Sequence, residues 1–280
     1  MKIIDAGSGA PLVLVPGIQG RWEWMKPAVD ALARRCRVIT FSLADEPTCG
    51  AAFDARRGFD CYVEQVAQAM DAAGLRRAAV CGVSYGGLIA ATFAARHRER
   101  VSSLVLVSAV PPTWTPDARA RFFLRAPRLL MPLFMLVSLR MYREIAAAVP
   151  GRMAAARTAG RHAANVLTHM FSPVRMARRA ALLPSTEALV REVSALDVPT
   201  LIVTGEAELD RVVPVRLTQE YTRWWPHAEQ TTLAHTGHIG LITRPDEFAR
   251  AVTEFIDRAS QQVGGAETSG EAGPARRRIV

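Results

Sequence analysis

Lysine is nearly missing from this 280-residue chain: Lys2 and Lys26 are the only two, so almost all of its positive charge is guanidinium. Cysteine is scarce too. Cys36, Cys49, Cys61 and Cys81 make no CxxC pair and no Cys/His ligand spacing, so no metal site is expected of them and their thiols are expected to be free. Long apolar runs are also lacking. The most lipophilic stretch, Phe122 to Leu139, is broken by Arg125, Pro127, Arg128 and Pro132 and does not read as a spanning helix. Met1-Lys2-Ile3-Ile4-Asp5 has no apolar signal core and carries an early acid, which together with free thiols predicts a cytoplasmic protein. There is no internal repeat.

Half of the residues are hydrophobic, enough for a sizeable core, and the length suits one large α/β domain or a domain with an insertion. The net charge of +9 is concentrated in one place. Between Pro112 and Leu196, thirteen arginines stand against four acids (Asp117, Glu144, Glu187, Glu192), leaving the rest of the chain close to neutral. Solvated helix faces are the plain explanation of this excess, and an anionic partner or substrate group is the sharper one. Nucleic-acid binding is disfavoured, because the charge sits on one segment that carries no DNA- or RNA-binding motif.

Apolar, β-branched runs of strand length recur at 11–15, 37–41, 78–82, 103–107, 200–204 and 230–233. Between them lie helix-like stretches, including 25–35, 59–73, 87–97, 215–224 and 246–259. This alternation predicts an α/β fold with a mostly parallel sheet and helices on both faces. It is interrupted once, between Val110 and Leu196, where the sequence turns helical and Pro-punctuated without a convincing strand. The expected organisation is a core of residues 1–111 and 197–260, a helical cap of 112–196 over the carboxyl edge of the sheet, and a disordered tail of 261–280.

One stretch carries chemistry. In Ala79-Val80-Cys81-Gly82-Val83-Ser84-Tyr85-Gly86-Gly87, an apolar run ends in Gly-x-Ser-x-Gly and passes directly into Ala-rich helical sequence. Such a turn pushes the serine hydroxyl out of the backbone, beside the free N–H groups of the helix that follows. A nucleophilic serine needs a base, a carboxylate to orient it and donors for the oxyanion. For the base, His97, His162, His169 and His227 lie on or at the ends of helices. His235 and His238 lie on the loop after the last expected strand, within reach of the serine. For the acid, Asp197 precedes its strand and falls at the wrong end of the sheet. Glu206, Glu208 and Asp210 follow the strand; Asp210 is furthest along and abuts a Val-Val-Pro turn, where it either orients the base or caps the next helix. Backbone donors are expected from Tyr85, next to the nucleophile, and from Ile18 in Pro16-Gly17-Ile18-Gln19-Gly20. Gln19, Trp22, Trp24 and Phe134 are the pocket candidates, with core or rim packing as the alternative for the tryptophans. The apolar residues of the insertion are expected to pack mostly on the core, and a membrane contact is the less favoured use of them.

The order Ser84, Asp210, His238, with the Pro-Gly-x-x-Gly loop and the helical insertion, resembles the α/β-hydrolase fold family over nearly all of residues 3–260. The resemblance selects His238 over His235 as the base. It implies a serine hydrolase of esterase, thioesterase or lactonase type that acts on a small or medium, largely apolar ester through an acyl-enzyme and needs no cofactor or metal. A carbon–carbon hydrolase, a cofactor-free lyase or haloperoxidase-like enzyme, and a non-catalytic ligand-binding member are the alternatives. Dehalogenases and epoxide hydrolases of the family carry Asp at the elbow, so Ser84 argues against both. Some related esterases take substrates from an acidic acyl-carrier protein through arginines of the cap, which the arginine excess here permits. The chain departs from the family at Ser42-Leu43-Ala44-Asp45-Glu46-Pro47, where a Gly- and His-containing turn is usual, and its first antiparallel strands are expected to be short or absent.

Overall fold

The central strands read as unbroken apolar runs because successive side chains leave opposite faces of the sheet and both faces are covered. The computed structural model describes residues 1–50, 52–138, 141–170 and 172–269. Its strands are β1 (Ile4–Ala6), β2 (Pro11–Val15), β3 (Arg37–Thr40), β4 (Ala78–Val83), β5 (Val101–Val107), β6 (Thr200–Thr204) and β7 (Glu229–Thr232). They form one sheet in the order β1-β3-β2-β4-β5-β6-β7, antiparallel between β1 and β3 and parallel elsewhere. β1 is the addition to the expected strands. It is too short to show a period in sequence, and the Arg37 guanidinium pins this edge by forking onto Asp5 at 3.0 and 2.7 Å.

Helices α1 (Lys26–Ala33), α2 (Asp60–Ala72) and α3 (Tyr85–Arg96) precede β5. Between β5 and β6 come only helices: α4 (Ala118–Arg125), α5 (Met131–Ser138), α6 (Met141–Ala148), α7 (Arg152–Thr168), α8 (Pro173–Ala181) and α9 (Thr186–Ser194). The chain continues through α10 (Val215–Thr218), α11 (Gly240–Thr243) and α12 (Pro245–Ser269). Leu12, Leu14, Val38 and Val105 leave one face of the sheet to meet Phe248, Val252 and Phe255 of α12 together with α1. Val13, Val15, Val80 and Leu104 leave the other, toward α2 and α3. Each such buried Val or Leu contributes roughly 1.5–3 kcal/mol, so alternate residues of every central strand tie it to both layers. Cys81 is one of these packing residues; it is fully buried, and burial pushes its thiol far above the ordinary range.

Two helices differ from the sequence reading by more than two residues at one end. The helix expected over 215–224 is α10 followed by a 3-10 segment, Gln219–Arg223. There Thr218 Oγ1 and Tyr221 OH donate to the carbonyls of Ala109 and Val110, at 3.0 and 2.9 Å, and these ties to the end of β5 replace a regular helical path. The last helix runs to Ser269 rather than stopping at Ala259, so residues 261–269 of the expected disordered tail are helical. Residues 270–280 of the expected tail lie outside the described residues. Among the described residues, no helix is long and apolar enough to cross a membrane.

Candidate active site

β4 ends at Val83 and α3 begins at Tyr85, so Ser84 alone must turn the chain. It does so with φ 55° and ψ −119°, a conformation that costs a residue bearing a Cβ on the order of 1–3 kcal/mol. The surroundings enforce it. The Ser84 N–H donates to Val107 O at 2.8 Å, and the Ser84 carbonyl accepts from Gly87 N at 2.9 Å and Val110 N at 3.2 Å. Only glycine fits on either side, because a Cβ on Gly82 would lie 2.2 Å from Gly86 O and one on Gly86 would lie 2.4 Å from Pro16 O.

His238 and Asp210 are carried by two loops packed against each other. His238 Nδ1 lies 3.3 Å from Asp210 Oδ2, and both residues are buried. Asp210 Oδ1 accepts the N–H groups of Val212 and Val213 at 3.0 and 2.9 Å, so the Val-Val-Pro turn fixes the carboxylate. Burial alone would raise the Asp210 pKa; the His238 charge and the hydrogen bonds from His238, Val212 and Val213 outweigh it and hold the carboxyl below its ordinary value. The loops touch at Gly237, where a Cβ would lie 2.6 Å from Leu209 O. Glu206 stitches the two loops, its Oε1 accepting the His235 N–H at 2.7 Å and its own N–H donating to Thr236 O at 2.7 Å. His235 is exposed and shapes this loop with φ 59°. Asp197 faces solvent beside Arg98.

On the opposite side, Tyr85 is the first residue of α3, where a backbone N–H has no acceptor within the helix. Ile18 sits in the loop after β2, closed by Gly20 N donating to Gly17 O at 2.9 Å. A residue that the sequence did not single out holds this loop. Arg179 of α8 is fully buried and donates from Nη1 to Ile18 O at 2.6 Å, from Nε and Nη2 to Asp45 Oδ1 at 2.9 and 2.6 Å, and from Nη2 to Glu46 Oε1 at 2.6 Å. The Tyr85 hydroxyl donates to Arg179 O at 3.1 Å. Burial opposes the guanidinium charge, but Asp45 and Glu46 outweigh it and raise the Arg179 pKa further. Asp45 and Glu46 belong to the segment 42–47 that departs from the family pattern.

Ser84, His238, Ile18 and Gln19 open onto a cavity of about 860 Å³ whose far wall comes from α6 and α7. Its lining is dominated by apolar side chains such as Met141, Ile145, Val166 and Leu241, with Arg21 and His162 among the few polar groups. Burial lowers the His162 pKa, which favours a neutral imidazole there. Trp24 lines this cavity and donates from Nε1 to His169 O at 3.0 Å. Trp22 is not in the wall; it packs beside α1 against the core, because the 3-10 turn Trp22–Met25 sends the two rings in different directions. The Phe134 side chain lies outside the described residues. Among the described residues, no group of three or more His, Cys, Asp or Glu is placed to hold a metal ion.

Glu144 of α6 also went unnoticed as a site residue. It is 3% exposed, and its Oε1 accepts the N–H of Gly237 at 2.8 Å and that of Ile239 at 2.6 Å, the two neighbours of His238. Burial pushes its carboxyl up to about 7, against the lowering effect of the two N–H groups and of the His238 charge.

Three comparisons bear on this architecture. A "2-hydroxymuconate semialdehyde hydrolase" of Pseudomonas sp. (strain CF600) is 28% identical, with 91% of this chain and 89% of that protein covered. A "pimeloyl-[acyl-carrier protein] methyl ester esterase" of Vibrio atlanticus (strain LGP32) is 25% identical, with 90% and 96% covered. The crystal structure of the enol-lactonase from Burkholderia xenovorans LB400 superposes with a TM-score of 0.73 at 20% identity, covering 91% of this chain and 96% of that one. The family model described as alpha/beta hydrolase fold matches residues 10–245, and the chain belongs to that family.

Proposed function

We propose that the protein is a serine hydrolase that cleaves a small or medium, largely apolar ester through an acyl-enzyme on Ser84. The observation that carries this reading is the strained Ser84 turn, opening together with His238 onto one apolar cavity. His238 takes the Ser84 proton as Oγ attacks the ester carbonyl, and Asp210 fixes the tautomer and stabilises the imidazolium. The N–H groups of Tyr85 and Ile18 receive the oxyanion. Collapse expels the alcohol, protonated by His238, which then activates water to release the acid. The apolar wall formed by α6 and α7 acts as the cap that selects the acyl or alkyl chain, and the relative named as an ester esterase agrees with this chemistry.

The test is a series of p-nitrophenyl esters of increasing chain length, with fluorophosphonate labelling of the wild type and Ser84→Ala. Labelling of the wild type alone, and a loss of more than about 10³-fold in hydrolysis on Ser84→Ala, are expected. An unlabelled wild type that hydrolyses no ester overturns the reading.

A second reading places the acyl group on an acidic carrier protein. It is favoured by the exposed arginines of the insertion, among them Arg121, Arg125, Arg157, Arg161 and Arg178, and by the relative named as a carrier-protein ester esterase. Faster hydrolysis of the carrier-bound ester than of the free one, with the advantage fading as salt rises, supports it; equal rates at all salt concentrations remove it.

A further inference from the structure

Glu144 stands in the chain 95 residues before Ile239 and on a different element, yet its carboxylate accepts the N–H groups of both neighbours of His238. A buried carboxylate is costly to leave without partners, and here the partners are two backbone donors rather than a neutralising lysine or arginine side chain. The backbone on either side of a histidine sets where its ring can point. Holding both N–H groups with one oxygen therefore fixes the position of the imidazole as directly as the Asp210 bond fixes its rotation. Asp210 does not hold the loop backbone; its oxygens go to His238 Nδ1 and to the N–H groups of its own turn.

We infer that Glu144 is a positioning residue for the reaction proposed above: seating α6 on the core places its carboxylate against Gly237 and Ile239 and thereby sets His238 to face Ser84. The inference rests on the serine-hydrolase reading, and it makes the insertion part of the catalytic machinery rather than only the wall of the pocket. Once ionised, above about pH 7, it also puts a second negative charge near the imidazole, after Asp210, so the imidazolium formed on proton transfer gains a further anionic neighbour there. The charged groups around Glu144 are His238 and Asp210 on the two loops, with Arg143, Glu208 and Arg211 along the adjoining cavity of about 550 Å³. The packed helix α7 carries Arg152, Arg157, Arg161 and His162, and α11 carries no titratable side chain.

Two variants separate geometry from charge. Glu144→Gln keeps an oxygen for both N–H groups but removes the charge, whereas Glu144→Ala removes both. With p-nitrophenyl butyrate, Glu144→Ala is expected to lose about 10- to 100-fold in kcat with KM within about threefold, and fluorophosphonate labelling should slow in parallel. Glu144→Gln should recover the kcat plateau to within about threefold. The wild-type kcat/KM profile should carry an inflection near pH 7 from the ionisation of Glu144 beside the imidazole, and Glu144→Gln should lack it. NMR titration of the His238 imidazole should show the same inflection in the wild type and not in Glu144→Gln, and this readout needs no turnover. Circular dichroism establishes that each variant is folded. A folded Glu144→Ala with unchanged kcat overturns the inference, as does an imidazole titration identical in wild type and Glu144→Gln. A wild type that neither hydrolyses esters nor labels overturns the ester reading instead, and the imidazole titration still decides the role of Glu144.

Discussion

Arg179 and Glu144 both leave the helical insertion and end buried in a loop of the sheet region, one on each side of Ser84. The Ile18 loop is held by a guanidinium whose donors are spread over Ile18 O, Asp45 and Glu46. That group stays charged at every working pH, and its fork matches the two carboxylates. The His238 loop is held by one carboxylate oxygen that accepts two N–H groups, on a residue whose pKa burial pushes up to about 7. The same insertion thus fixes one loop permanently and the other in a way that titrates. The difference teaches that the Ile18 loop is built for rigidity, while the setting of the His238 loop is sensitive to pH.

The contrast breaks most visibly at Arg179. Arg179→Met leaves Asp45 buried without its cation and Glu46 with only Arg175, 3.4 Å away, and a loss of about 3–5 kcal/mol in unfolding free energy by urea titration is expected. Adding Asp45→Asn and Glu46→Gln should restore part of it. A loss below about 1 kcal/mol would mean that the network contributes little to the fold.

A smaller effect sharpens the titrating side. Glu144 has its pKa raised from 4.5 to about 7, so the native state keeps a proton there that the unfolded chain has already released. The stability gained from this is complete below about 4.5 and disappears as pH rises through about 7. Relative to Glu144→Gln, the wild type should therefore lose stability between pH 4.5 and 7, measured by urea titration at several pH values. A constant difference across that window would contradict it. Asp210 has the opposite sign: its carboxyl is held below the ordinary value, so its contribution is present above that range and is lost only in acid.

The smallest effect is expected at the neighbouring histidine. His235→Asn keeps a residue that tolerates positive φ and removes a ring that is 65% exposed. Stability should change by less than about 0.5 kcal/mol, with esterase rates unchanged. A large loss of rate would reopen the choice between the two histidines.

The strands were legible because burial on two faces writes an apolar run into the chain, and β1 escaped because three residues show no period. The turn at Ser84 was legible for a local reason as well: Gly82 and Gly86 are spaced by the turn itself, and a Cβ at either meets backbone. Asp210 announced itself through the adjoining Val-Val-Pro, whose N–H groups do hold it. The segment 42–47 stood out as unusual, but nothing in it said that Asp45 and Glu46 wait for a cation from 134 and 133 residues away.

By itself, the sequence determined the layers of the sheet, the Ser84 turn and the candidate partners on their loops, because each depends on neighbours close in the chain. The tertiary structure alone decided which arginine of the insertion is buried among the described residues, which acid of the insertion reaches the His238 loop, and which tryptophan faces the cavity. Those choices depend on contacts between residues far apart in sequence. A buried ion pair or a carboxylate closing over two peptides leaves no periodicity behind; it exists only once the helices have packed.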